Sequence, residues 1–145
     1  MSLPIGRRIA VDFGQTRSGI ATSDPLGLIA TPLETLSTET LIARIRQLAD
    51  DEFVLTIYIG LPAHLSGEEG ASAKLARDFA KELARLKIAQ VQLVDERLTT
   101  KSAHDSKELV ERFGVDAVAA AKILEFALAG EASKGERFGE AIDGS

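Results

Sequence analysis

At 145 residues, with a hydrophobic share of 45%, the chain has the length of one ordinary domain and enough apolar material to bury a sizeable core. The lack of cysteine excludes disulfides, a thiolate nucleophile and a zinc ribbon, and two histidines are too few for a histidine-rich metal site. A net charge of −5 argues against nucleic-acid binding driven by bulk charge, but not against an enzyme whose acidic, metal-holding site acts on nucleic acid. No apolar run approaches the length of a membrane span, and residues 1–8 lack the apolar core of a signal peptide. The expected location is therefore the cytoplasm.

Residues 8–13 predict a first strand, 14–18 a turn, and 19–23 a second strand paired back as a hairpin. Period-two alternation places Asp12 on the face opposite Val11 and Phe13. A carboxylate in an apolar strand is costly unless a cation, a metal or several donors meet it. Asp24-Pro25-Leu26-Gly27 is a turn, and 28–36 a third extended segment with Pro32 suggesting an edge. Ser37 or Thr38 can cap a helix running to about Asp51, with Leu41, Ile45 and Leu48 on one stripe.

Residues 53–59 form a nearly continuous apolar run, the pattern of a strand covered on both faces in a parallel sheet. Gly60-Leu61-Pro62 opens a loop containing Gly67 and Gly70. The helix expected over 70–86 would bury Leu75, Phe79, Leu83 and Leu86. Residues 91–94 predict a fifth strand, ending in Asp95-Glu96-Arg97-Leu98-Thr99-Thr100. Thr99 or Thr100 could cap a helix to about Phe113, closed by Gly114. An alanine-rich helix then runs from Asp116 to about Ala129, its stripe formed by Ala119, Ala120, Ile123, Leu124 and Ala127. The expected organisation is a single domain over 1–130, with 131–145 a flexible tail poor in core residues.

Three carboxylate positions could carry chemistry. Asp12 could simply pair with Arg17. Asp95 and Glu96 follow the last strand, where alternation lets only one of them share the face of Asp12, and Arg97 could be the partner of either. Asp116 starts the stripe that faces the sheet and could be an ordinary helix-capping aspartate. Taken together, they are less easily dismissed. Converging carboxylates repel one another unless a cation joins them. Hard oxygen ligands suit Mg²⁺ or Mn²⁺, and two such ions can activate water and stabilise a leaving oxygen in phosphodiester cleavage. The glycine-bracketed turn from Gly14 to Gly19 could offer backbone N–H groups and Arg17 to a phosphate, or could be a tight turn needing positive φ. The loop after Pro62 could also hold a phosphate, although no Gly-Lys-Ser/Thr follows as in a P-loop.

Val11-Asp12-Phe13-Gly14 with Arg17, Gly19, Ala21, Ser23 and Asp24 resembles the opening motif of the YqgF/RuvX family. Gly60-Leu61-Pro62 with Gly67 and Gly70 is similar to the family's second motif, 94–100 to its third, and Asp116 with Ala119-Ala120 and Ile123-Leu124 to its fourth. The resemblance implies an RNase H-like α/β fold: a five-stranded mixed sheet in order 3-2-1-4-5, the first three strands antiparallel, flanked by helices. It implies a metal-dependent endonuclease with Asp12, Glu96 and Asp116 as catalytic and metal-holding residues for Mg²⁺ or Mn²⁺. Arg17, Arg97, Gly67 and Lys101 would contact substrate phosphates, and Asp95 would be structural. The implied substrate is structured RNA, at the 5′ end of pre-16S rRNA in ribosome precursors. The alternative is branched DNA at a Holliday junction, cut by a monomer or homodimer. Two further readings stay open: a non-catalytic nucleic-acid- or ribosome-binding protein, and an actin-like phosphotransferase suggested by Asp-x-Gly-x-Thr at 12–16. The second would need two related domains.

Overall fold

The run expected to be covered on both faces is β4 (Val54–Leu61), and all eight of its residues are buried. Its neighbours follow from the same patterning. In this computed structural model, which describes residues 3–62, 70–98 and 107–144, the remaining strands are β1 (Arg7–Asp12), β2 (Arg17–Ser23), β3 (Ala30–Ser37), β5 (Gln90–Asp95) and β6 (Glu140–Ile142). The α-helices are α1 (Leu41–Asp51), α2 (Ala71–Arg85), α3 (Lys107–Phe113) and α4 (Val115–Lys134). Single 3₁₀ turns precede α1 (Thr38–Thr40) and follow β5 (Glu96–Leu98).

Among the described residues the strands form one sheet in the order β3-β2-β1-β4-β5-β6. The first three are antiparallel, and β4 and β5 add parallel to β1, as expected. The sheet has six strands rather than five, because β6 pairs antiparallel with β5. A three-residue strand with one buried apolar side chain, Ile142, is too short to leave a periodic signal.

The segment 131–145, expected to be a flexible tail, instead holds the last turn of α4 and β6. Gly130 does not end α4. It leaves room for the Phe138 ring, whose Cδ1 would lie 2.2 Å from a Cβ at that position. The helix stops at Gly135, in the left-handed region at φ 72°, where its N–H bonds the Glu131 carbonyl at 2.7 Å. Phe138 packs edge-on against Phe126, Gln92 Nε2 donates to the Phe138 carbonyl at 2.8 Å, and Arg137 Nε donates to Thr56 Oγ1 at 2.9 Å.

Helices cover both faces of the sheet. On one, α1 and α2 bury Ile9, Val11, Ile57, Ile59 and Leu93; on the other, α4 buries Ala10, Ala21, Tyr58 and Val94. The buried face of α2 runs through Ala73, Ala76, Phe79, Ala80 and Leu83, while Leu75, expected inside, is 40% exposed. Small alanines let the helix sit close to the sheet, and Leu75 falls to the side of that stripe. Beneath α4, the buried Arg8 pairs with the buried Glu131 at 2.8 Å, and Tyr58 hydroxyl donates to the same carboxylate. Neither charge is left alone, as burial requires.

Candidate active site

The parallel strands β1, β4 and β5 end together, and the carboxylates gather at those carboxyl ends, the usual place for ligands in open α/β sheets. Phe13 stacks on Phe79 of α2, with ring centroids 4.7 Å apart, so alternation sends Asp12 to the opposite face, which α4 covers. Of the Asp95-Glu96 pair, it is Glu96, the first residue of the 3₁₀ turn after β5, that joins Asp12 through a hydrogen bond. Val94 packs with Ala10 and Tyr58 under α4, and Glu96 continues that face. A Cβ on Gly60 of β4 would stand 2.6 Å from Glu96 Oε1, so the missing side chain is what lets Glu96 lie over the sheet toward Asp12.

Asp95 turns away and binds Arg97. Its Oδ2 accepts from Arg97 Nη2 at 2.6 Å, and its Oδ1 accepts from the Arg97 backbone N–H at 2.9 Å. The hydrogen bonds from Arg97 hold Asp95 below the usual carboxylate range. The pairing fixes the direction of the Arg97 guanidinium.

Burial pushes Asp12 up from the usual carboxylate value to about 7. The negative charges of Glu96 and Asp116 add to that rise, and so does a hydrogen bond in which Asp12 gives its proton to Glu96. Glu96 is itself raised, first by burial and then by the charge of Asp95, while the bond from Asp12 acts the other way. The site thus holds more negative charge than it can keep without a proton or a cation. Among the described residues no three His, Cys, Asp or Glu side chains stand close enough together to hold a metal ion. Asp12 and Glu96 are joined directly, and Asp116 acts on Asp12 through its charge.

The hairpin turn beside Asp12 is locked by residues that carry no periodic signal. Ser18, fully buried, meets Thr38 Oγ1 at 2.8 Å and the Gly14 amide at 3.2 Å. Thr38 Oγ1 donates to the Gly14 carbonyl at 2.6 Å. Gly14 is absent from the positive-φ glycines. Its requirement is space, since a Cβ there would lie 2.2 Å from the Arg17 carbonyl oxygen. Arg17 is exposed at the start of β2. Gly67 and Lys101, and the candidate caps Thr99 and Thr100, lie outside the described residues.

Residues 6–130 match the family model for RuvX, described as Holliday junction resolvase. A protein of Streptomyces avermitilis named "Putative pre-16S rRNA nuclease" is 39% identical, covering 99% of this chain and 98% of its own length. One of the same name from a Nocardioides species is 42% identical over 95% and 97%. Among solved structures, Thermus thermophilus RuvC in complex with a Holliday junction substrate superposes with a TM-score of 0.63 at 12% identity, over 91% of this chain and 98% of that one. That likeness is one of fold.

Proposed function

The chain belongs to the RuvX family, and from that premise we propose that it is an endonuclease hydrolysing phosphodiester bonds at Asp12, Glu96 and Asp116. The observation that carries the reading is the pKa of about 7 at Asp12, raised by burial and by the charges of the other two acids. Perturbed carboxylates concentrate at functional sites, and here the ends of β1 and β5 and the first turn of α4 bring three acids together. The donor set is all carboxylate oxygen, which fits Mg²⁺ or Mn²⁺. Such an ion, when bound, supplies the charge that neutralises the cluster and stabilises the reacting phosphate.

The chain's own residues divide the remaining work. Asp12 gives up its proton when the cluster is neutralised, and its rigid position follows from β1 being internal to the sheet. Arg97, oriented by Asp95, and Arg17, on the locked hairpin, meet the backbone phosphates on either side. Gly67, of the second motif, and Lys101, directly after the third, are assigned the same role from the sequence alone.

The preferred substrate is the 5′ region of pre-16S rRNA in ribosome precursors, supported by the names of relatives that match nearly end to end. The second reading is branched DNA, supported by the family description and the RuvC-like fold. Among the described residues no helix is long and apolar enough to cross a membrane, and an RNA-processing role fits a cytoplasmic protein, acting as a monomer or homodimer. Precursor rRNA, a four-way DNA junction and single strands should be compared with and without Mn²⁺. Metal-dependent cleavage of the precursor is expected. Preferential junction cleavage would favour the second reading, and no cleavage of any substrate would reduce the protein to a binding role.

A smaller effect follows from Gly60. Gly60→Ala should cost about 1–2 kcal/mol, because Ile123 and Glu96 must both shift. It should also weaken Mn²⁺ binding, read by calorimetry alongside thermal unfolding. Unchanged Mn²⁺ affinity would detach Glu96 from the metal site.

A further inference from the structure

We propose that Thr35 is the positioning residue for Asp116, clamping the first turn of α4 onto the sheet so that this carboxylate faces Asp12. The inference rests on the reading of Asp116 as part of the metal-holding cluster. Asp12 of β1 is in register with Gly19 of β2, and Gly19 is in register with Thr35 of β3. Residues paired directly across strands point to the same face, so the three form a row beneath the start of α4. Gly19, the middle of the row, has no side chain, and the helix sits in the space. A Cβ there would lie 2.0 Å from the backbone carbon and oxygen of Asp116. Asp12 stands at one end of the row and the Thr35 hydroxyl at the other.

That hydroxyl supplies what the helix lacks. The first turn of any helix leaves amides without partners, and a Ser, Thr, Asp or Asn before the first turn normally accepts from one of them. Here the preceding residue is Gly114, which has no side chain and makes no such bond. Thr35 Oγ1 accepts from the Ala117 N–H at 3.2 Å and donates to the Phe113 carbonyl at 2.9 Å. One side chain, 82 residues away in sequence from the amide it caps, thus closes α3 and opens α4. Gly114 is glycine for two reasons. Its φ is 91°, and a Cβ would come within 2.4 Å of Thr35 Oγ1. The clamp leaves Asp116 between two bonded backbone groups, Phe113 C=O and Ala117 N–H, with Gly19 as the floor.

The test compares Thr35→Val, which keeps the shape and removes both hydrogen bonds, with Thr35→Ser, which keeps the hydroxyl. Thr35→Val should bind Mn²⁺ about tenfold more weakly by calorimetry and lose kcat while KM for RNA stays put; Thr35→Ser should remain close to wild type. Equal Mn²⁺ affinity and kcat in wild type and Thr35→Val would overturn the inference. Amide hydrogen exchange of the wild-type protein gives an independent answer should Thr35→Val fail to fold. Ala117 N–H should be protected relative to Val115 and Asp116, and exchange as fast as theirs would also overturn the clamp. Failure of the wild type to bind Mn²⁺ would instead refute the metal reading, with amide exchange still deciding whether Thr35 caps α4.

Discussion

Asp12→Asn is expected to abolish metal-dependent cleavage, by a factor of at least about a thousand, while making the metal-free protein more stable at neutral pH. The two effects have one cause. Asp12 lies on an internal strand, and burial, Glu96 and Asp116 together raise it to about 7. At pH 7.5 most of the population therefore carries an ionised Asp12 that the folded protein accommodates poorly. Asparagine has the same shape, carries no charge, and can donate to Glu96 as protonated Asp12 does. The relief should be on the order of 2 kcal/mol, after allowing for the water that still reaches the side chain. For a chain of this length that is a rise of several degrees in Tm. Cleavage assays on precursor rRNA and thermal unfolding in chelator would be read on the same preparation. A variant that cleaves at the wild-type rate would remove Asp12 from the mechanism. One that cleaves poorly but is less stable than wild type would mean that Asp12 is a structural acid.

Most of the architecture was written in the period of the apolar residues, because strands buried on two faces and strands buried on one leave different patterns. The unbroken run in β4, the alternation around Asp12 and the position of Asp116 at the head of an apolar stripe each translate directly into a place in the fold. What escaped the sequence has a common character. Thr35, Ser18 and Thr38 each act through the several hydrogen bonds of one hydroxyl, to Gly14, to one another or to the ends of α3 and α4, and a lone hydroxyl residue carries no periodicity. Glu131 sits in a segment that reads as polar, yet it is buried because Arg8, more than a hundred residues earlier, meets it. Gly130 and Gly14 were legible as glycines but not in their purpose. Each makes room for a neighbour and neither needs positive φ. The choice between Asp95 and Glu96 needed the resemblance to a family, and the face shared with Val94 then gives it a physical reason.

The metal-free protein should lose stability as pH rises from about 4 to about 7, the reverse of ordinary acid denaturation. The sign follows from proton counts. In the unfolded chain Asp12 titrates at its ordinary value of 3.8, whereas in the folded protein it holds its proton up to about 7. Between those values the folded state binds more protons than the unfolded one, so each step upward in pH favours unfolding. The upward shift of Glu96 acts in the same direction. Asp24 and Asp95 work the other way. Backbone amides hold Asp24 down and Arg97 holds Asp95 down, so their contributions disappear only as pH falls below the ordinary carboxylate range. Stability in chelator should therefore peak near pH 4–5 and decline toward neutrality. Saturating Mn²⁺ should raise Tm more at about pH 8 than at about pH 5, because the ion competes with the proton for the same oxygens and releases it on binding. Unfolding curves across this range, with chelator and with Mn²⁺, give the slopes directly. Asp12→Asn supplies the control, since its decline between about pH 4 and about pH 7 should be markedly shallower. If wild type and variant show the same slope, the proton held at the strand ends is not on Asp12, and the repulsion that a cation would relieve lies elsewhere.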